Sequence, residues 1–238
     1  MNRRLVSAIA IGLMLALIAV PQFAMACTSI PVSAGASADG SVMTSHTDDS
    51  GSDTMHVYVV PAADWPEGSM RKVIRNTDFD PYSQRRNPHT VMGEIPQVAH
   101  TYAYFNSSYS FMNEKQVGIG ETTVGGRREL SNPNGWFDLV DLQRVALERA
   151  STAREAIQVM GSLAEKYGYG IGGECLTVID PNEAWMFEIW GGGALWSQGD
   201  AEPGAVWVAA RIPEGQVGVS ANRSRIGAID LSDPDHYM

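Results

Sequence analysis

The chain has 238 residues, with 27 acidic against 17 basic side chains and a formal net charge of −10. That balance argues against a nucleic-acid partner, because phosphate binding needs a basic footprint. The length is enough for one domain with a substantial core and shows no repeat and no low-complexity tract.

The first 26 residues do not read as part of a fold. Asn2, Arg3 and Arg4 make a short basic start, and Leu5 to Val20 is a nearly unbroken apolar run. Pro21 ends the run, and Ala24-Met25-Ala26 follows as a small-x-small cleavage site. That order predicts a signal peptide over residues 1–26, cut before Cys27, and an extracytoplasmic product, secreted or periplasmic. The run of 16 residues is at or below the lower limit for a spanning helix. No second long apolar segment follows, so no stable membrane span is expected after processing. Removing the leader takes two of the basic and none of the acidic residues, which leaves a formal charge of −12.

Beyond Cys27 short strands are expected over Thr28 to Ser33 and Val42 to Thr47, joined through the Asp39-Gly40 turn. A further strand is expected over Met55 to Val60. Residues 61–99, rich in Pro, Arg, Asn and Asp, read as a long irregular stretch. Strands follow at Thr101 to Phe105 and Gln116 to Thr123. The spacing of Leu139, Leu142, Val145 and Ala146 predicts a helix over Phe137 to Ala150. Thr152 and Glu155 form a capping box that starts a second helix, which runs to Gly168. Strands resume at Leu176 to Ile179, Ala184 to Ile189, Ala205 to Ala210 and Gln216 to Ser220. Strands, then two adjacent helices, then strands define an α+β class with mainly antiparallel sheet.

The chain holds two cysteines, Cys27 and Cys175. One disulfide is the ordinary outcome for two cysteines in an exported chain, and it would consume Cys27. Cys175 lies in the apolar run Cys175-Leu176-Thr177-Val178-Ile179 and reads as a buried strand thiol. A cysteine directly after a cleavage site is also the acceptor for lipidation, although Ala24 stands where a leucine-like residue is expected. The third reading is an N-terminal nucleophile. Cleavage frees an α-amine with an ordinary pKa of about 7.7–8.0 on the same residue as the thiol, so the amine can take the thiol proton. The thiolate attacks a carbonyl, the ammonium protonates the leaving amine, and water completes hydrolysis. Such a site needs oxyanion donors and a carboxylate to hold the amine. Asp48, Asp49, Asn113 and Asn222 are candidates from their residue types, and spacing alone does not choose among them.

Cys27-Thr28-Ser29-Ile30, Ala38-Asp39-Gly40-Ser41-Val42 and Ser45-His46-Thr47-Asp48 together resemble the start of the secreted cysteine dipeptidases of the N-terminal-nucleophile (Ntn) hydrolase superfamily. The run Asn113 to Thr123, the run Asp180 to Ile189 and Ala221-Asn222-Arg223-Ser224-Arg225-Ile226 resemble later signatures of that family, in the same order. The resemblance implies a four-layer αββα sandwich of two mainly antiparallel sheets between helical layers, spread over residues 27–238 as one catalytic domain. It implies dipeptide hydrolysis through a thioester on Cys27, with no metal and no organic cofactor. By motif match Asp48 would hold the amine, Asn113 would be an oxyanion donor, Asn222 a second polar group near the thiol, and Arg225 a substrate or structural arginine.

The sequence departs from the pattern in two places. Related amidases carry an arginine three residues before the aspartate, where this chain has Ser45, and His46 is the neighbour available to take up that role. Family members also run well beyond this length, so the catalytic domain is expected to be incomplete at its C-terminal side. Two other readings stand beside the dipeptidase. One is an amidase acting on another linear amide, such as an acylated amino acid or a conjugated acid. The other is a non-catalytic lipoprotein acylated at Cys27. The five histidines, His46, His56, His89, His100 and His236, are scattered without zinc-site spacing. Neither the preferred substrate nor the oligomeric state is legible.

Overall fold

A computed structural model describes residues 27–49, 56–75 and 90–238. The expected leader, residues 1–26, lies outside the described residues, as does the start of the strand expected from Met55.

Two helices form where the periodicity predicts them. Helix α1, Leu139–Arg149, is capped by Asp138, whose carboxylate accepts from the Asp141 N–H at 2.9 Å. Helix α2, Ala153–Tyr167, is capped by Thr152, which accepts from the Glu155 N–H at 3.2 Å. Glu155 reaches back to the Ser151 N–H at 2.8 Å, so the box closes one residue upstream of the cap. Gly168 ends α2 at φ +81, and a β-carbon there would collide with Trp196 and Gly135, so a bare backbone is required.

Thirteen strands are present among the described residues, and the largest sheet has seven, all antiparallel. Its core is β10 (Gly118–Thr123), β11 (Glu174–Ile179), β12 (Ala184–Gly191) and β13 (Ala205–Arg211), in adjacent order. On the far side of β10 follow β9 (Met112–Asn113), β8 (Tyr104–Asn106) and β3 (Tyr58–Val60). The strand expected from Gln116 starts at Gly118, because Gln116 takes a left-handed turn at φ +63.

Alternation assigns the two faces of this sheet. Ile119, Leu176, Val178, Trp185, Phe187 and Ile189 pack with Leu142, Val145, Ala156, Ile157 and Met160 of the helices in one buried cluster. Each fully buried aliphatic or aromatic side chain there contributes about 1.5–3 kcal/mol. The opposite face carries Cys175, Ile179 and Met186. Against it lies a hairpin of β1 (Thr28–Val32) and β2 (Met43–Thr47), registered Thr28 to Thr47 and Val32 to Met43. Gly120 lets β2 approach closely, since a β-carbon there would stand 2.6 Å from Thr177 Oγ1 and 3.3 Å from Thr44 Oγ1. The strand expected at Gln216 to Ser220 is reduced to two bridges, Val32–Val217 and Ser29–Ser220, forming a third, irregular rail of the small sheet.

The α+β class with mainly antiparallel sheet is therefore present. Among the described residues the layers number three: the helix pair, the large sheet and the hairpin sheet. The irregular stretch expected at 61–99 needs correction. It holds β4 (Ala63–Asp64), β5 (Met70–Arg75) and β6 (Thr90–Pro96), and β5 and β6 pair as a hairpin. The polar strands hid this element, because its anchor is an ion cluster. Arg71 lies between Asp141 and Glu148 of α1, with contacts of 2.9 and 2.6 Å.

Candidate active site

β1 begins immediately after Cys27, and the Thr28–Thr47 pairing brings the end of β2 beside it. The Thr28 N–H donates to Thr47 Oγ1 at 3.0 Å. Asp48 and Asp49 follow Thr47 and so arrive next to the thiol by register. Cys27 is partly buried and carries a free thiol. Burial is the main cause that raises its pKa; the Asp49 N–H works against it, while the carboxylates of Glu121, Asp48 and Asp49 raise it further. The thiol therefore sits in an acidic pocket that opposes a bare thiolate.

The disulfide is absent. Cys175 is fully buried on β11 as a free thiol, paired in register with Thr122 and hydrogen-bonded with Ser220. Burial pushes it up to about 12, which makes it unreactive at neutral pH.

The carbonyl of Cys27 is held from the large sheet. Thr122 Oγ1 donates to Cys27 O at 3.1 Å and accepts from the Asn222 N–H at 3.2 Å. Asn222 has left-handed backbone at φ +52, and its Nδ2 donates to Thr123 O at 2.6 Å. Its Oδ1 is buried without a partner. The loop bearing Asn222 is fastened by Glu188, a buried carboxylate on β12 that accepts from the main-chain N–H groups of Arg225 and Ile226 and from the Ser224 hydroxyl. The structure thus brings Cys27, Asp48 and Asn222 together. Arg225 contributes its main-chain N–H to that loop anchor, while its residue is exposed.

Asn113 requires correction. It is 3% exposed and fully engaged elsewhere. Its Nδ2 donates to Leu147 O at 2.9 Å and Ala150 O at 2.8 Å, and its Oδ1 accepts from the Lys115 and Val117 N–H groups at 3.0 Å. All its hydrogen-bonding positions are taken, so no donor is left for an oxyanion. Its place is to clip the end of α1 to the turn before β10.

Three residues enter the site that motif matching did not bring forward: Glu121, Thr122 and Glu188. Glu121 is 1% exposed, next to the open edge of β10 where β9 has already ended. Burial, with Asp48 adding to it, pushes its carboxyl up to about 8. His46 fills that open edge. Its Nδ1 accepts from the Glu121 N–H at 3.2 Å and stands 3.8 Å from Glu121 Oε1. Burial lowers the His46 pKa, so the ring is neutral with its proton on Nε2. Behind Glu121 lies Glu174, pushed up to about 9 by burial and by Glu121. A visible signal existed: Glu121-Thr122-Thr123 closes an otherwise apolar strand with a carboxylate and two hydroxyls. Among the described residues no cluster of His, Cys, Asp and Glu could hold a metal ion.

The structure thus places a partly buried thiol at the start of the hairpin, with acidic side chains around it and its carbonyl held from the central antiparallel sheet. The chain belongs to peptidase family C69, whose model matches residues 26–238. This is a cysteine peptidase family of the Ntn type. The chain is similar to a "Probable dipeptidase" of Latilactobacillus sakei, 29% identical over 90% of this chain and 42% of the relative. A "Probable dipeptidase" of Salmonella dublin is 27% identical over 90% of this chain and 47% of its own length. A "Dipeptidase" of Bifidobacterium longum is 26% identical over 88% and 39%. The chain thus spans less than half the length of these relatives.

Proposed function

We propose that this chain is the nucleophile-bearing part of an exported cysteine dipeptidase, with Cys27 becoming the N-terminal residue when residues 1–26 are removed. One observation carries the reading: the Cys27 thiol lies among Glu121, Asp48 and Asp49, which raise its pKa. A thiol in such a place is a poor nucleophile by itself, and an ammonium on the same residue reverses the electrostatics. The freed α-amine takes the thiol proton and becomes the cation that the neighbouring aspartates stabilise. The thiolate attacks the peptide carbonyl. The ammonium then protonates the departing amine as the C–N bond breaks, leaving a thioester. Water gives its proton back to the amine, attacks the thioester and releases the second amino acid. Asp48 holds the ammonium, and the unpartnered Oδ1 of Asn222 is the neutral acceptor beside it.

The dipeptide substrate is supported by the relatives, which are named dipeptidases, and export by the sequence of residues 1–26. A second helical layer, completing αββα, is the proposed cover of the outer face of the hairpin sheet, where Met43, Val217 and Val219 are 44%, 52% and 45% exposed. The longer relatives have the chain length to supply it.

The test uses the full-length protein purified after export. Intact mass is expected to show a free amine on Cys27, and a dipeptide panel is expected to show turnover that Cys27→Ser reduces by orders of magnitude. A diacylglycerol mass on Cys27, or undiminished turnover in Cys27→Ser, overturns the reading.

A further inference from the structure

A cavity of about 220 Å³ opens just past the catalytic end of β10. Its wall runs through Val124, Gly125, Gly126, Gly173 and the Trp190 indole, with Arg127 and Arg128 on its rim. Its relation to the nucleophile follows from the strand. Thr122 holds the Cys27 carbonyl, Thr123 holds Asn222, and Val124, the next residue, already lines the cavity. Two residues of strand cover about 6.6 Å. The cavity is fixed on both sides, by the Val124 N–H on Gly173 O at 2.8 Å and by Trp190 Nε1 on Gly125 O at 3.3 Å. Open space stands beside Gly125 and Gly172, where a β-carbon would meet no atom within 4 Å.

The charges of the two sides differ in sign. Around the thiol the ionisable groups are Asp48, Asp49, Glu121 and, behind it, Glu174. The cavity rim carries two consecutive guanidinium groups. Most other arginines of the framework are already engaged: Arg71 with Asp141 and Glu148, Arg75 with three carbonyls, Arg154 and Arg211 with Glu183. Among the described residues the main-chain carbonyls of Arg127 and Arg128 accept from the Leu130 and Ser131 N–H groups, and their guanidinium groups show no hydrogen bond and no ion pair. In a chain with net charge −10, two adjacent unneutralised arginines beside an open cavity mark an anion site.

We propose that this cavity binds the carboxylate of the substrate, with Arg127 and Arg128 as its cationic partners and the Trp190 face as its wall. The proposal rests on the peptidase reading and deepens it. A dipeptide cut at Cys27 carries its free carboxylate one residue, about 3.5 Å of chain, beyond the scissile bond. A guanidinium pair at the cavity rim reads that end of the molecule and rejects longer peptides, in which the carboxylate is displaced by at least one more residue. Arginine suits the task because its planar fork meets both oxygens of a carboxylate.

Two measurements test this on the full-length processed protein. The first compares hydrolysis of dipeptides with that of the same dipeptides bearing a C-terminal amide. The wild type is expected to prefer the free acid, chiefly through KM. In Arg127→Gln, Arg128→Gln and the double variant that preference is expected to fall about 10- to 100-fold, the usual worth of a hydrogen-bonded charge contact. Arg→Lys variants are expected to restore part of it. An acid-to-amide ratio that is the same in wild type and variants overturns the proposal. The second is a direct titration of Cys27→Ala with an uncleaved dipeptide and with its amide, read by isothermal titration calorimetry. Binding of the acid alone, lost in the double variant, is the expected result, and equal binding of acid and amide overturns the proposal. If the wild type hydrolyses no dipeptide, the peptidase reading fails, and the titration still decides whether the carboxylate site exists.

Discussion

The hydroxyl of Thr122 donates to the carbonyl oxygen of Cys27 while accepting the N–H of Asn222, at 3.1 and 3.2 Å. One side chain of the central sheet therefore joins Cys27 to the loop that faces it. Both partners belong to main chain that no regular ladder holds: Cys27 precedes β1, and Asn222 has left-handed backbone. Thr122→Val keeps the shape and removes both bonds. The expected outcome is a loss of about 1–3 kcal/mol in stability, as for buried hydrogen bonds left unmade. A fall in kcat of tenfold or more is expected with it, and Thr122→Ser should retain most of both. Thermal unfolding and steady-state kinetics on the three proteins check this.

Glu121 makes stability depend on pH with a defined sign. Its carboxyl is raised from 4.5 to about 8 in the fold, so the folded state holds a proton that the unfolded state releases. Stability from this group is complete below pH 4.5 and is lost as pH rises towards 8, by about 1.4 kcal/mol per unit within that window. Glu121→Gln, which cannot ionise, is expected to be the more stable protein at pH 8 and to differ little at pH 4. Denaturant melts of both proteins across pH 4–8 check the sign, and a variant less stable at pH 8 than the wild type contradicts it.

Asn113 separates a structural role from a chemical one. Asn113→Ala removes four hydrogen bonds from a buried site and leaves the Leu147 and Ala150 carbonyls and the Val117 N–H without their partner. A destabilisation of about 3 kcal/mol is expected. Turnover per folded molecule should change by less than tenfold, whereas loss of an oxyanion donor costs about 100- to 1,000-fold. Kinetics normalised to the folded fraction distinguish the two.

The two thiols should differ in reactivity. Cys27 is partly exposed, while Cys175 is fully buried and pushed up to about 12. A thiol reagent applied to the native protein is expected to modify Cys27 alone, with loss of activity. A second thiol should appear only in denaturant. Mass spectrometry of the native and denatured adducts reads both numbers.

The helix pair was legible because apolar residues at spacings of three and four, and the Thr152–Glu155 box, act within a few residues of themselves. The alternating strands from Leu176 to Ala210 were legible for the same reason. The β5–β6 hairpin was not, since its strands are held by the bridge from Arg71 to Asp141, 70 residues away. Asn113 misled for a related reason. A motif states which residue is present, but its hydrogen-bond partners at Leu147 and Ala150 come from another element.

The sequence by itself singled out Cys27 as the residue to examine, because a thiol placed directly after a small-x-small site is conspicuous without any help from folding. It also determined the order of strands and helices that carries this residue to a sheet end. Only the tertiary structure decided what surrounds the thiol. The Thr28–Thr47 register delivers Asp48, the open edge of β10 delivers Glu121, and Glu188 delivers Asn222, all across long stretches of chain. Such neighbours are chosen by strand pairing and burial, which depend on the packed whole and leave only faint marks in local sequence.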